Sequence, residues 1–109
     1  RLQYTGKYEN GKYTGEWKFY HENGQLKSIG KYENGKEAGE WKVYYKNGQL
    51  YKIELWNDGK LMDIISCYDG EGNRLDKGTL VNGNGTVNYY DMTGKLTKVN
   101  TYENGVLQN

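Results

Sequence analysis

The chain has 109 residues, with 15 Lys and Arg against 14 Asp and Glu, a net charge of +1, and 35% hydrophobic residues. No run of about 18–20 apolar residues offers a membrane-spanning helix, and the single Cys67 leaves no intramolecular disulfide. A sequence pI near 7.9 lacks the basic footprint of a nucleic-acid-binding domain, while 15% aromatic residues do not suit a disordered polymer.

Taken in order, the elements repeat. Residues 6–29 (GKYENGKYTGEWKFYHENGQLKSI) return as residues 30–53 (GKYENGKEAGEWKVYYKNGQLYKI), and the marker pairs are Gly15/Gly39, Trp17/Trp41, Gly24/Gly48 and Leu26/Leu50. Residues 54–77 form a looser third copy, with Trp56 in the Tyr column, Ile65 in the Trp column and one extra residue before Leu75. Residues 78–99 form a shortened fourth copy, and 100–109 a partial fifth. Residues 1–5 are in phase with 25–29, so the chain opens in mid-repeat and reads as one segment of a longer array. The whole is one repeat domain.

Asn-Gly pairs at 10–11, 23–24, 34–35, 47–48, 82–83 and 104–105 punctuate the repeat about every 12 residues, with Asp58-Gly59 and Asp69-Gly70 in equivalent places. Flanked by alternating apolar residues, such pairs predict type I′ hairpin turns, whose two central residues both need positive φ. The strands between them fall at 16–21, 40–45, 63–68 and 85–90, and at 25–33, 49–57, 74–82 and 95–103. No apolar stripe of helical period appears. The expected architecture is all-β: consecutive antiparallel hairpins joined into one curled, elongated meander of about nine strands.

Period-2 alternation puts Trp17, Phe19, Leu26, Tyr32, Trp41, Val43, Leu50, Trp56, Ile65, Cys67, Val87, Leu96 and Tyr102 in the columns expected to form a structural core. Tyr20, Tyr44, Tyr68 and Tyr90 recur once per unit on the other side, as a candidate partner-binding ladder. Such tyrosines suit a protein contact, and could also stack on a sugar or hold a quaternary ammonium.

The unit G-x-Y-x-N-G-K-x-x-G-x-W-x-x-Y-Y-x-N-G-Q-L closely resembles the bacterial MORN-variant repeat found in the YwqK-type antitoxin family. The residues that carry this are Gly15-Glu16-Trp17, Tyr20 and Asn23-Gly24-Gln25-Leu26, then Gly39-Glu40-Trp41, Tyr44-Tyr45 and Asn47-Gly48-Gln49-Leu50. The likeness is strong over 6–53 and looser over 54–99. It implies a hairpin scaffold that binds a protein partner, with neutralisation of a toxin as the role of some relatives. Residues 68–75 and 90–96 are also similar to the Y-D-x-x-G-x-L core of YD repeats, and 41–48 to choline- and glucan-binding hairpins.

The candidate chemistry outside the repeat pattern is thin. His21 is the only His and shares a column with Tyr45, Asp69 and Asp91, which reads as a strand-end position. Cys67 falls in the Phe19/Val43/Tyr89 column and reads as a buried, inert thiol. The run 69–73 begins like a calcium loop but has Arg74 and Leu80 where that pattern needs Gly and Glu. Glu16 and Glu40 are one repeat column and read as solvated strand charges pairing across neighbours.

These readings converge on a non-catalytic scaffold for protein–protein interaction, antitoxin or immunity-type in its finer role, with no cofactor, metal or nucleic acid. The alternative is an envelope or surface protein binding carbohydrate or lipid headgroups. Localisation stays open, because a leader would precede Arg1. Leu2 and Val106-Leu107 mark sheet edges where self-association is available.

Overall fold

The computed structural model describes residues 3–108, so Leu2 lies outside the described residues. The alternating segments become nine strands: β1 (Tyr4–Glu9), β2 (Lys12–Tyr20), β3 (Leu26–Glu33), β4 (Lys36–Tyr44), β5 (Leu50–Asn57), β6 (Lys60–Cys67), β7 (Gly85–Tyr90), β8 (Leu96–Glu103) and β9 (Val106–Leu107). Every pairing between them is antiparallel and connects chain neighbours.

The Asn-Gly dipeptide makes two different turns. At Asn34-Gly35 both residues have positive φ, 52° and 82°, as a type I′ turn requires. At Asn47-Gly48 only the glycine does, at 89°. There Gly48 N–H donates to the Tyr45 carbonyl at 3.0 Å and Tyr45 N–H to the Gln49 carbonyl at 2.9 Å. This is a longer hairpin built on a type I turn with a left-handed glycine after it. The expectation of type I′ geometry throughout is therefore corrected for the turns at 23–24 and 47–48, and for Asp69-Gly70, where Gly72 takes the left-handed place and its N–H donates to the Asp69 carbonyl at 3.0 Å. The reason is local: the Asn47 side-chain oxygen accepts from Gln49 N–H at 3.0 Å, and Asn23 does the same for Gln25 at 2.9 Å. That Asx contact holds the asparagine out of the left-handed region.

Within the first sheet a tryptophan crosses a glycine in each regular unit. A Cβ built on Gly30 would lie 1.9 Å from Trp41 Cδ2, and one on Gly6 would lie 2.0 Å from Trp17 Cδ2. Only the absence of a side chain lets the indole lie flat on the neighbouring strand. In the third unit the column residue is Glu54, and the ring is replaced by Ile64, opposite Glu54 in register. Ile65, expected in the core, is instead the extra residue of a bulge and is 42% exposed. The Glu54 side chain fills the slot that a ring would cross, so a smaller residue turns inward one position earlier.

The expected single meander is broken. β1 to β6 form one sheet and β7 to β9 a second, because the strand anticipated at 74–82 does not form. That segment keeps only the isolated bridges Tyr68–Arg74 and Val81–Asn84. Asp76 accepts from Gly78 N–H at 3.0 Å, and Gly78 has a φ of 100°. This tight local turn takes the chain away from β6, and Thr79 N–H then donates to the Thr86 carbonyl on β7 at 2.9 Å.

The second sheet packs against β5 and β6. Leu61 and Ile64 of β6 meet Leu80 and Val87, with Trp56, Tyr89 and Tyr102 packed around them. The overall extents are 40 × 34 × 20 Å. Leu96, the other core expectation that fails, is 49% exposed. It starts β8 beside a turn, and no later turn of the described chain lies over it, whereas Leu26 and Leu50 are half-buried.

Candidate interaction face

The aromatic residues of β1 to β4 gather on one face around Trp17. Tyr13 stacks on the indole at 4.1 Å and 19°, and Tyr4 stacks at 5.7 Å and 26°. Tyr8 and Tyr32 meet it edge-on at 5.4 and 6.0 Å, and Phe19 lies at 6.1 Å. Tyr32 and Phe19 then reach Trp41, at 5.1 and 6.3 Å. Offset and edge-on geometries of this kind add about 0.5–1.5 kcal/mol per pair beyond burial. The rings roof the tryptophan so completely that Trp17 is 1% exposed, yet Tyr4 and Tyr8 remain 50% and 56% exposed.

Core and exposed aromatic surface are thus parts of one set of rings, buried at Trp17 and open at Tyr4 and Tyr8. One carboxylate borders the cluster: Glu37 pairs in register with Tyr32, whose phenol is raised first by burial and then by that charge. The Tyr8 phenol is pushed up to about 12, chiefly by its hydrogen bond with Tyr13, so it stays neutral and able to donate.

The four tyrosines of the sequence ladder sit elsewhere. Tyr20, Tyr44, Tyr68 and Tyr90 are half-buried at strand ends, and among the described residues their rings do not touch one another. Register shifts at Phe19/Tyr20, Val43/Tyr44 and Tyr89/Tyr90 turn the last strand residue out of line with its neighbours. Two of them are engaged internally: the Tyr68 ring carries the Arg74 guanidinium at 5.6 Å, and Tyr90 donates to the Asp76 carbonyl at 2.6 Å.

Along the second turn column, side chains tie each unit to the next. His21 Nε2 lies 2.9 Å from the Tyr44 carbonyl, so that nitrogen carries the proton and donates. Asn23 and Asn47 donate to the Lys46 and Gly70 carbonyls at 2.9 and 3.0 Å. Tyr45 donates to the Tyr68 carbonyl at 2.7 Å. Asp69 and Asp91 end the column as turn caps. Their carboxyls are held below the usual range, Asp69 first by the Asn73 N–H and Asp91 first by the Thr93 hydroxyl. Cys67 is buried beside Lys52, and burial pushes its thiol up. On the other face Glu16 sits opposite Lys31 in register, but the Lys31 ammonium lies 3.0 Å from Glu33 of its own strand.

One buried site escaped the sequence reading. Lys52 is 4% exposed, with its ammonium 3.1 Å from Glu54 and 4.0 Å above the Tyr89 ring. Trp56 Nε1 donates to the other Glu54 oxygen at 2.8 Å. Tyr51, under the same ammonium at 5.2 Å, accepts from Tyr90 N–H at 2.9 Å. This polar pin joins the two sheets. The signal was present in the alternation Leu50, Lys52, Glu54, Trp56, which puts an oppositely charged pair on the apolar face.

A family model described as MORN repeat variant matches residues 13–34 and 38–58. The most regular part of the chain is therefore similar to MORN-variant repeats, a repeat class associated with binding to proteins or membrane lipids. No curated protein and no solved structure is significantly similar to the chain.

Proposed function

We propose that the chain is a non-catalytic repeat scaffold that recognises a protein partner through the aromatic face over β1 to β3. Its finer role is that of a bacterial antitoxin or immunity-type protein of the YwqK kind. The observation that carries the reading is the pairing of a fully buried Trp17 with half-exposed Tyr4 and Tyr8 above it. Rigid aromatic surface of this sort offers large contact area at little entropic cost, and tyrosine and tryptophan are over-represented at binding hot spots. The non-catalytic part is supported by the engagement of the sole imidazole with a backbone carbonyl and by the buried, raised thiol of Cys67.

The test is capture of the product of the neighbouring gene on the immobilised chain. Wild type retains it, and Tyr8→Ala with Phe19→Ala weakens retention at least about tenfold, the loss of two contact aromatics. Retention unchanged by both substitutions would move the contact off this face. Binding to glycans or lipid vesicles in place of the protein would replace the reading altogether.

A further inference from the structure

Tyr13 and Glu37 hold the same position in successive units, 24 residues apart. They lie on β2 and β4, and β3 between them carries Tyr32; all three strands are paired along both edges. Tyr13 gives one ring face to Trp17, at 4.1 Å and 19°. Tyr8 and Tyr32 are nearly perpendicular to both rings of that stack, and each lies within 6.0 Å of both. Rings so placed stand beside the stack, so among the described residues no ring covers the other face of Tyr13. Glu37 is next along, opposite Tyr32 in register and half-buried. The lysines around it are committed: Lys31 to Glu33 at 3.0 Å, Lys36 to Asp58 at 3.6 Å and Lys52 to Glu54 at 3.1 Å. Among the described residues Glu37 has no ion pair. The cation–π contacts are likewise made elsewhere, by Lys52, Arg74 and Lys98 with Tyr51, Tyr68 and Tyr89.

A half-buried carboxylate without a cation, beside electron-rich ring faces that also lack one, is complementary to a positive side chain. Arginine fits both parts. Its apolar stem covers a ring, and its planar fork stacks on aromatic groups while pairing with a carboxylate. We propose that the protein partner sets an arginine on this spot, its stem across the open face of Tyr13 and its guanidinium paired with Glu37 beside Tyr32. This rests on the protein-binding role proposed for the face, and it names the chemistry that the face selects. The net charge of +1 gives no long-range pull on a basic partner, so the selection is local. Tyr13 and Leu61 fill the same position in the flanking units, so the carboxylate occurs once and fixes a single register for the partner along the repeat.

The probe is the peptide Ac-Gly-Arg-Gly-NH2, titrated to about 50 mM into the isotope-labelled chain and followed by NMR, with the uncharged citrulline peptide of the same shape beside it. The expected result is saturable, millimolar binding of the arginine peptide, with the largest shifts at Tyr13, Tyr32 and Glu37. Citrulline in the peptide, and Glu37→Gln in the chain, each weaken it at least about threefold. Glu40 precedes Trp41 in β4 and points to the opposite face, so Glu40→Gln removes the same charge and leaves binding unchanged. No saturation, equal binding of the two peptides, or Glu40→Gln matching Glu37→Gln would each overturn the proposal. Failure of the peptide, with the neighbouring gene's product still retained, would overturn the arginine and leave the proposed function standing.

Discussion

Gly30→Ala is the most direct probe of how each hairpin is clasped. The new methyl group would lie 1.9, 2.2 and 2.4 Å from Trp41 Cδ2, Cε2 and Cγ. Restoring ordinary contact at 3.4 Å asks the indole to retreat by about 1.5 Å. It has nowhere to go: Trp41 is 5% exposed, with Tyr32 edge-on at 5.1 Å and Phe19 at 6.3 Å. Overpacking of a well-filled site costs about 1–3 kcal/mol, and a rigid bicyclic ring places this substitution at the upper end, about 3 kcal/mol.

The third unit supplies the compensating change, since there a side chain replaces Gly and Ile replaces Trp. In urea titrations Gly30→Ala and Trp41→Ile are each expected to lower the midpoint, and the double variant to lose about 1–2 kcal/mol less than the sum of the two. A Gly30→Ala cost below about 0.5 kcal/mol, or strict additivity in the cycle, would refute the claim that ring and glycine are one packing unit.

Four further outcomes follow from the same geometry. Trp41→Ala, which empties the central roofed slot, is expected to cost about 3–5 kcal/mol by equilibrium denaturation, and a loss under about 1 kcal/mol contradicts a core role. Trp17→Phe should cost about 1 kcal/mol more than Trp41→Phe, because Trp17 Nε1 donates to the Lys7 carbonyl at 3.2 Å while the buried Trp41 Nε1 has no acceptor; equal losses in the same titration count against it. Lys52→Met leaves the Glu54 carboxylate buried without its cation and should cost about 3–5 kcal/mol, with Lys52→Met/Glu54→Leu recovering most of that; a double variant no more stable than the single one rejects the pin. Alkaline stability is the last. Burial raises Tyr102 to about 12, and raises Tyr45, Tyr51 and Tyr89 as well. A raised folded-state value means the stabilisation is complete below the unfolded-chain value of about 10 and is lost as pH rises toward the folded-state values. Thermal midpoints should therefore hold to about pH 10 and fall between about 10 and 12; a flat profile to pH 12 would exclude the effect.

The hairpin architecture could be read from the sequence because each turn is declared by its own residues and each strand by its alternation. Asn34-Gly35 and the columns of Trp17 and Trp41 needed no tertiary information. Ile65 and the strand at 74–82 failed for a shared reason: both lie after Glu54 has replaced the column glycine, where counting by a fixed period no longer tracks the backbone. The aromatic face was half visible. Tyr4, Tyr8 and Tyr13 are ordinary turn-flanking residues in the sequence, and only the crossing of Trp17 over Gly6 shows that they roof it. The Tyr20 column looked more regular than it is in space, since a bulge at each strand end displaces it.

The tryptophan-over-glycine crossing also makes each regular hairpin self-contained. Gly6 with Trp17, and Gly30 with Trp41, are the two halves of a clasp carried within one unit, so a copy brings its own fastening and asks nothing of its neighbour's sequence at that point. In the third unit Glu54 and Ile64 take the two places, and after β6 the chain leaves the first sheet and packs over β5 and β6. The clasp and the regular array thus end in the same unit.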